Sequence, residues 1–402
     1  MVGHFAASDR ENFGDLLYPV IVRKMMESRG CSEEIRYYSF LDGPAPGDSG
    51  YAISCIRELL EAKTALLSSL IIGGGDILRT DTVTLASHYK YIYRQRLGHP
   101  VLQWLGEKWL KKQTVVDKFL ERYMSYDAPG PFLLDQKKYP GLGSVYYCSC
   151  GAPLDFTADE KGRVRDVLES AAYLSVRDRQ SREKLLAAGV TRDIHAVPDL
   201  IMTISDYYDP ATERRKGQDI LRSFGVDTGK KIVSFQCMPH AGEPLAEIVA
   251  QLTRYRERAD AEIVLLPLGY CHADDRFLKR LCRESGGAFR YLGVRSIFDM
   301  LSVLAASDLF VGTSMHGNIT ALSYGIPHLF GPIQVDKAEG FLDMVGLSAD
   351  FKLKSWAELN DKADMIADLD SDYFSSRAAR AKKEAHAAFD LLYATLCSAT
   401  GK

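Results

Sequence analysis

The chain reads as an α/β protein built on two parallel sheets, each with helices on both faces. Three features of the sequence predict this class. Short apolar segments alternate with helical stretches almost throughout the 402 residues, the pattern of repeated strand–helix–strand units. That length is enough for two domains with full cores. The alternation breaks in a polar stretch, 211–230, which carries Arg214, Arg215 and Lys216 and ends in the turn-like Asp227-Thr228-Gly229-Lys230.

Taken in order, strands are expected at 2–6, 35–40, 69–72, 143–148, 173–176 and 194–197, each a short apolar or β-branched run. Segments 16–28 and 53–65 lie between them and carry apolar residues at helical spacing. After the polar break, strands are expected at 232–236, 262–267, 289–291, 309–312 and 328–331, with helices at 245–256, 274–284 and 297–306. Residues 94–140 interrupt the pattern with two tryptophans, many lysines and Pro129, Pro131 and Pro140, and read as an insertion of helices and loop on the first domain. The tail, 371–396, is alanine-rich with alternating charges and reads as one long helix. The expected division is 1–220 with its insertion, 221–370, and a helix within 371–402.

Composition narrows the function. Hydrophobic residues make up 46% and charged residues 26%, ordinary for a soluble globular protein. A net charge of −3 gives no electrostatic case for nucleic acid. The best apolar run, 66–73, is strand-sized rather than membrane-sized. The opening 2–6 reads as a strand, so no signal peptide is expected. The eight cysteines hold no Cys-x-x-Cys and no zinc-ligand pattern, and Cys148 and Cys150 sit on one face of a strand. Free thiols, a cytoplasmic location and no metal are the expectation.

Candidate chemistry clusters at strand ends. The segment Val311-Gly312-Thr313-Ser314-Met315-His316-Gly317 runs from an apolar strand into a helix that stops at Gly325 before Pro327. Open α/β sheets place ligands at such junctions, and the free N–H groups of a first helical turn favour anions. A histidine there can move protons near neutral pH, so His316 is the candidate acid/base, with Thr313, Ser314 and Gly317 as binding residues. In Asn12-Phe13-Gly14-Asp15, Gly14 permits an unusual backbone and Asp15 reads as an N-cap; Asn12 and Asp15 could also hold sugar hydroxyls or orient a nucleophile. Gly73-Gly74-Gly75-Asp76 either lets a ligand approach the backbone or marks a close crossing of backbone segments, and Asp76 adds a carboxylate at the rim. Arg177 ends a strand as a planar fork for an anion or an acid partner, Asp178 or Ser181 caps the next helix, and Asp199 is placed to orient Arg177. Lys337 offers a cation on the same rim, or is a plain surface lysine.

These motifs, in this order, resemble the polysaccharide pyruvyltransferase family over nearly the whole chain apart from the insertion and the tail. The resemblance implies two Rossmann-like domains facing a cleft, similar to GT-B glycosyltransferases, with the C-terminal helix returning to the first domain. It also implies a transferase that moves pyruvate from phosphoenolpyruvate to hydroxyls of a saccharide or lipid-linked saccharide of a bacterial cell-surface polymer, with no cofactor. The location that goes with it is the cytoplasm at the inner face of the membrane, with room for peripheral membrane association and an oligomer. His316, Asp15 and Asp76 would be catalytic. Members often carry arginine at the position of Ser314, so Arg10, Arg79, Arg177 and Lys337 are the cations that would serve instead. A GT-B glycosyltransferase with a nucleotide-sugar donor, or a non-catalytic assembly protein on the same fold, is the alternative.

Overall fold

The computed structural model describes residues 1–80, 130–239, 245–333 and 337–400. Most of the insertion expected at 94–140 lies outside the described residues. The first sheet holds β1 (Val2–Phe5), β2 (Ile35–Ser39), β3 (Gly43–Pro44), β4 (Ala52–Cys55), β5 (Ser69–Gly73), β6 (Ser144–Cys150), β7 (Tyr173–Val176) and β8 (His195–Ala196), in the order β3-β4-β2-β1-β5-β6-β7-β8. Only the short β3 runs antiparallel to its neighbour. The second sheet holds β9 (Lys231–Gln236), β10 (Ala261–Leu265), β11 (Arg290–Tyr291), β12 (Leu309–Gly312) and β13 (His328–Phe330), in the order β11-β10-β9-β12-β13, all parallel.

The helices that position the site are α1 (Phe13–Ser28), α2 (Arg179–Ala187), α3 (Pro210–Ser223), α4 (Ile297–Ala305), α5 (Met315–Ser323), α6 (Lys337–Val345) and α7 (Tyr373–Thr400). One local expectation is corrected. Residues 53–55, expected as helix, pair in parallel with Tyr37, Tyr38 and Ser39 in β2, because Ile53 has an apolar neighbourhood to fill beside that strand; the helix is the short Arg57–Glu61. The polar stretch after residue 210 carries an element of its own. It is largely α3, capped by Asp209 Oδ2 accepting from Thr212 N at 2.8 Å, with Pro210 in its first turn. Its Gly217 lies on Ser302 of α4 so closely that a Cβ could not fit.

One apolar core runs unbroken through both halves, from Val2 and Ile21 through Ile201 and Leu221 to Val233, Leu304, Leu322 and Leu392. A second core, around Phe5, Phe40, Phe132, Tyr147 and Leu168, covers the other face of the first sheet. The long α7 contributes Phe389 and Leu392 to the shared core and touches the first half through Tyr173 Oη donating to Ala388 O and Arg29 pairing with Asp390. In each sheet the strand order reverses beside a central strand, β1 in one and β9 in the other, and those are the points where α/β sheets open a crevice.

Candidate active site

The two crevices face each other, and backbone ties them on one side. Asn12 and Gly269 form an antiparallel bridge, Phe13 N donates to Leu268 O at 2.8 Å, and Cys271 N donates to Glu11 O at 3.2 Å. Ile297 N adds a bond to Gly47 O at 2.9 Å. Asn12, not Asp15, is the cap of α1: its Oδ1 accepts from Gly14 N and Asp15 N at 3.2 and 3.4 Å. Asn12 has the extended backbone a cap needs, while Asp15 already lies inside the first turn. The other end of the Asn12 amide meets His272 Nε2 at 3.2 Å.

His316 reaches across this seam. Its imidazole rests on Gly14, where a Cβ would fall on Nδ1 and Cγ of the ring. On its far side Nε2 stands 3.7 Å from Asp199 Oδ2. That is longer than a hydrogen bond, and neither atom has a hydrogen-bond partner among the described residues. Asp199 Oδ1 is fixed by Ile201 N at 3.0 Å. Burial raises the Asp199 carboxyl, but His316, Arg177 and the Ile201 N–H outweigh it and hold it below the ordinary range.

A second cluster adjoins the first. Arg177, almost fully buried, pairs with Asp76 and lies 3.9 Å from Asp178 Oδ2. Gly151 makes the pair possible: a Cβ there would meet Asp76 Oδ1 at 2.5 Å and Arg177 Nε at 2.7 Å. Burial raises Asp76, and Arg177, Lys337 and His316 together bring it below its usual value. Lys337 starts α6; burial lowers its ammonium, against the pull of Asp76. Asp15 faces Arg10, with Nε to Oδ2 at 3.6 Å, and Gly75. Its carboxyl is raised, first by burial and then by Asp76 and Asp9, over the opposing Arg10 and His316. His272 is pushed down to about 4, first by burial and then by Arg10 and Lys337.

The structure thus brings together His316, Asp15, Asp76, Arg177, Lys337, Gly14, Gly75 and Asn12. Other expected binding residues are engaged elsewhere. Gly73 and Gly74 pack on the Tyr18 ring, whose hydroxyl donates to Cys148 O at 2.7 Å, so their lack of side chains serves a close crossing of backbone and ring. Thr313 is buried, with its hydroxyl between Gln236 Oε1 and Met238 N. Ser314 Oγ accepts from Gly317 N at 3.2 Å and caps α5, and Gly317 sits against Phe310. Arg79 turns away to Glu160 and Asp155 O, and Arg179 pairs with Asp343 at the surface. Asp178 caps α2 through Ser181 N at 2.6 Å.

Sequence reasoning missed Asp199 as the partner of His316, placing it on Arg177 alone. It also passed over His272 and Gly151. Gly151 did carry a signal: it follows the apolar β6 as Gly74 follows β5. Among the described residues no group of three or more His, Cys, Asp or Glu side chains could hold a metal ion, and no helix is long and apolar enough to cross a membrane. All eight cysteines are free.

Known structures share this architecture. A UDP-N-acetylglucosamine 2-epimerase from Rickettsia bellii superposes with a TM-score of 0.56 at 12% identity, over 99% of this chain and 96% of that one. Anabaena HepE in complex with UDP and glucose gives 0.54 at 12%, over 99% of both chains. The Neisseria meningitidis UDP-GlcNAc 2-epimerase bound to UDP-GlcNAc gives 0.53 at 10%, again over 99% of both. Identities this low establish the fold, which is GT-B. No protein of curated function matches the sequence. The family model for polysaccharide pyruvyl transferase matches residues 118–330, more than half of the chain and the span that contains Gly151, Arg177, Asp199 and His316; the chain belongs to the polysaccharide pyruvyl transferase family.

Proposed function

We propose that the protein transfers pyruvate from phosphoenolpyruvate to two hydroxyls of one sugar in a bacterial surface-glycan precursor. The observation that carries the reading is His316, set across the seam on Gly14 and facing Asp199, beside Arg10, Arg177 and Lys337. The donor brings a phosphate and a carboxylate, and the cluster supplies two guanidiniums and an ammonium for them. Protonation of the donor's methylene carbon makes the adjacent carbon electrophilic. A sugar hydroxyl attacks that carbon and gives up its proton to a general base, phosphate leaves with its electron pair, and a second hydroxyl of the same sugar closes the ketal as its proton passes to the departing phosphate. His316 moves the proton, and the ionised Asp199 stabilises its charged form as the buried carboxylate of a hydrolytic triad does for its histidine. Asp15, whose raised carboxyl holds a proton more readily than an ordinary one, and Asp76 orient the hydroxyls. The scheme uses no cofactor, and the acceptor is a saccharide or lipid-linked saccharide met at the inner face of the membrane.

The second reading is a nucleotide-sugar donor. Ser314 stands where the family often has arginine, and two structures of the same fold hold UDP with glucose or UDP-GlcNAc. Thermal melts with phosphoenolpyruvate and with a panel of nucleotide sugars separate the two, since a ligand at 100 times its dissociation constant stabilises by about 2.7 kcal/mol. Phosphoenolpyruvate is expected to raise the Tm and to release inorganic phosphate with an acceptor present. A rise with a nucleotide sugar alone would replace the donor.

A further inference from the structure

We propose that Asp274 is a positioning residue for His316: its carboxylate joins the seam loop at Gly269 to the histidine loop at Ser314 through the side chain of Gln236. The inference rests on the reading that His316 moves the proton.

The connection is continuous. Asp274 Oδ2 accepts from Gly269 N at 2.8 Å and from Gln236 Nε2 at 2.7 Å. Gln236 ends β9, and its Oε1 accepts from Ser314 N at 2.8 Å and from Thr313 Oγ1 at 3.3 Å. Ser314 caps α5, whose second residue is His316. At the other end Gly269 is the residue that bridges Asn12, and Asn12 caps the helix that holds Gly14 under the imidazole. The two supports of His316, the loop it stands on and the glycine it stands against, are therefore fixed to one carboxylate.

The chemistry of the position argues for a role beyond packing. Asp274 is fully buried and forms no ion pair among the described residues. Burial pushes its carboxyl up to about 7. An uncompensated buried carboxylate costs stability, and an apolar side chain would fill the same space at less cost. Both hydrogen-bond donors that Oδ2 receives belong to segments that lead to His316. A Gln236 left without Asp274 is free to turn its amide, and Ser314 N loses its acceptor.

Four variants of the full chain test this: Asp274→Leu, Gln236→Leu, the double variant, and Asp274→Asn, whose amide oxygen can still accept both bonds. They are compared by steady-state kinetics with phosphoenolpyruvate and by the nitrogen-15 NMR signals of the His316 imidazole without ligand, assigned by their loss in His316→Gln. Each leucine variant is expected to lower kcat by about 10- to 100-fold, the scale of a displaced catalytic group, with KM for phosphoenolpyruvate changed by less than about threefold. The double variant should be no worse than the poorer single one, since both cut one chain of bonds. Asp274→Asn should recover kcat to within about threefold and restore the imidazole signals that both leucine variants shift. Additive losses, unmoved His316 signals in the leucine variants, or an asparagine variant as poor as the leucine one would overturn the proposal. If Asp274→Leu does not fold, Gln236→Leu and Asp274→Asn decide it alone. If phosphoenolpyruvate is not the donor, wild type and variants are equally silent in the assay; the imidazole signals then still shift in the leucine variants and not in Asp274→Asn, which upholds the positioning role and rejects only the donor.

Discussion

Gly14 and His316 are in contact across the seam, with the imidazole occupying the volume that any side chain at residue 14 would need. The glycine is required by its neighbour and not by its own backbone, since it is not among the glycines with positive φ. It comes from the first half of the chain and the histidine from the second, so the contact registers the correct joining of the two.

Gly14→Ala therefore acts on the histidine. The methyl group cannot be met by a small shift, because it strikes the ring at Nδ1 and Cγ and also approaches Cβ. The imidazole must swing off Asp199. Turnover is expected to fall by about 100-fold, the scale of a reacting group misplaced by an ångström, and stability by about 1–3 kcal/mol from overpacking. Kinetics and denaturant melts check both; a variant with wild-type turnover would show that the histidine does not act from this position.

His316→Ala should lower turnover ~100-fold to ~10,000-fold as acid/base help is lost, with a smaller effect on the melt than Gly14→Ala. Asp199→Asn keeps the Ile201 N–H bond through its amide oxygen and removes only the charge facing His316. It should fall between wild type and His316→Ala. Equal losses in the two would mean that Asp199 contributes more than a charge to hold the imidazolium.

Asp199 and Asp15 should respond to pH with opposite signs. The folded-state carboxyl of Asp199 lies below its usual 3.8. Its stabilising contribution is complete above the unfolded value and is lost as pH falls through the folded one. The Tm deficit of Asp199→Asn should thus be full at pH 7 and shrink below about pH 4. Asp15 lies above 3.8, so its ionisation costs stability as pH rises from 3.8 to the raised value. Asp15→Asn should melt higher than wild type at pH 7, with the gain disappearing below about pH 4. Site residues that lower stability are the expected companion of activity. Melts of the two variants across pH 3–7 make the comparison, and a loss of Tm in Asp15→Asn at pH 7 would contradict the sign.

Gly151→Ala should separate Arg177 from Asp76, because the methyl group meets both partners. Arg177 is then a buried charge without its partner, which is costly, while Asp76 is partly exposed to solvent. The melt should drop by less than the ~3–5 kcal/mol of a fully buried broken pair, because solvent reaches Asp76, and KM for an anionic donor should rise. Arg177→Lys should keep the charge and lose the planar fork, and so recover binding only in part. Unchanged donor binding in Gly151→Ala would remove Arg177 from the site.

The class of fold was legible because alternating apolar runs and helical spacing are local signals, and most strands fall where the residues placed them. The helix expected at 53–65 formed only at 57–61, because the short run before it reads alike in both states until β2 pairs with it. Site residues at strand ends were legible for the same local reason: His316, Arg177 and Asp76 follow β12, β7 and β5. Partnerships were not. Nothing local joins Asp199 to His316 or Asn12 to Gly269, which meet only when the halves do. Glycine was ambiguous in the same way: Gly74 serves a tyrosine ring and Gly14 an imidazole, and the letter is identical.

Lys337 couples the proposed donor site to the docking of α6. The helix lies against the start of α2, where Arg179 pairs with Asp343 at the surface and Gly340 meets the Asp178 side chain, so that a Cβ would stand 3.2 Å from its Cβ and Cγ. Lys337 sits one turn earlier and brings its ammonium close enough to bear on Asp76, Asp15 and Arg177. Lys337→Ala should raise KM for phosphoenolpyruvate by about 10-fold or more, the loss of a charge-assisted bond, with little change in the melt. Gly340→Val leaves the lysine in place chemically but pushes α6 off Asp178. It should raise KM by a similar factor while also lowering stability by about 1–3 kcal/mol. If Lys337 is held by this packing, the double variant raises KM no further than Lys337→Ala alone. A multiplied KM in the double variant, or a normal KM in Gly340→Val despite a lowered melt, would show that the lysine is positioned by something other than the Gly340 contact.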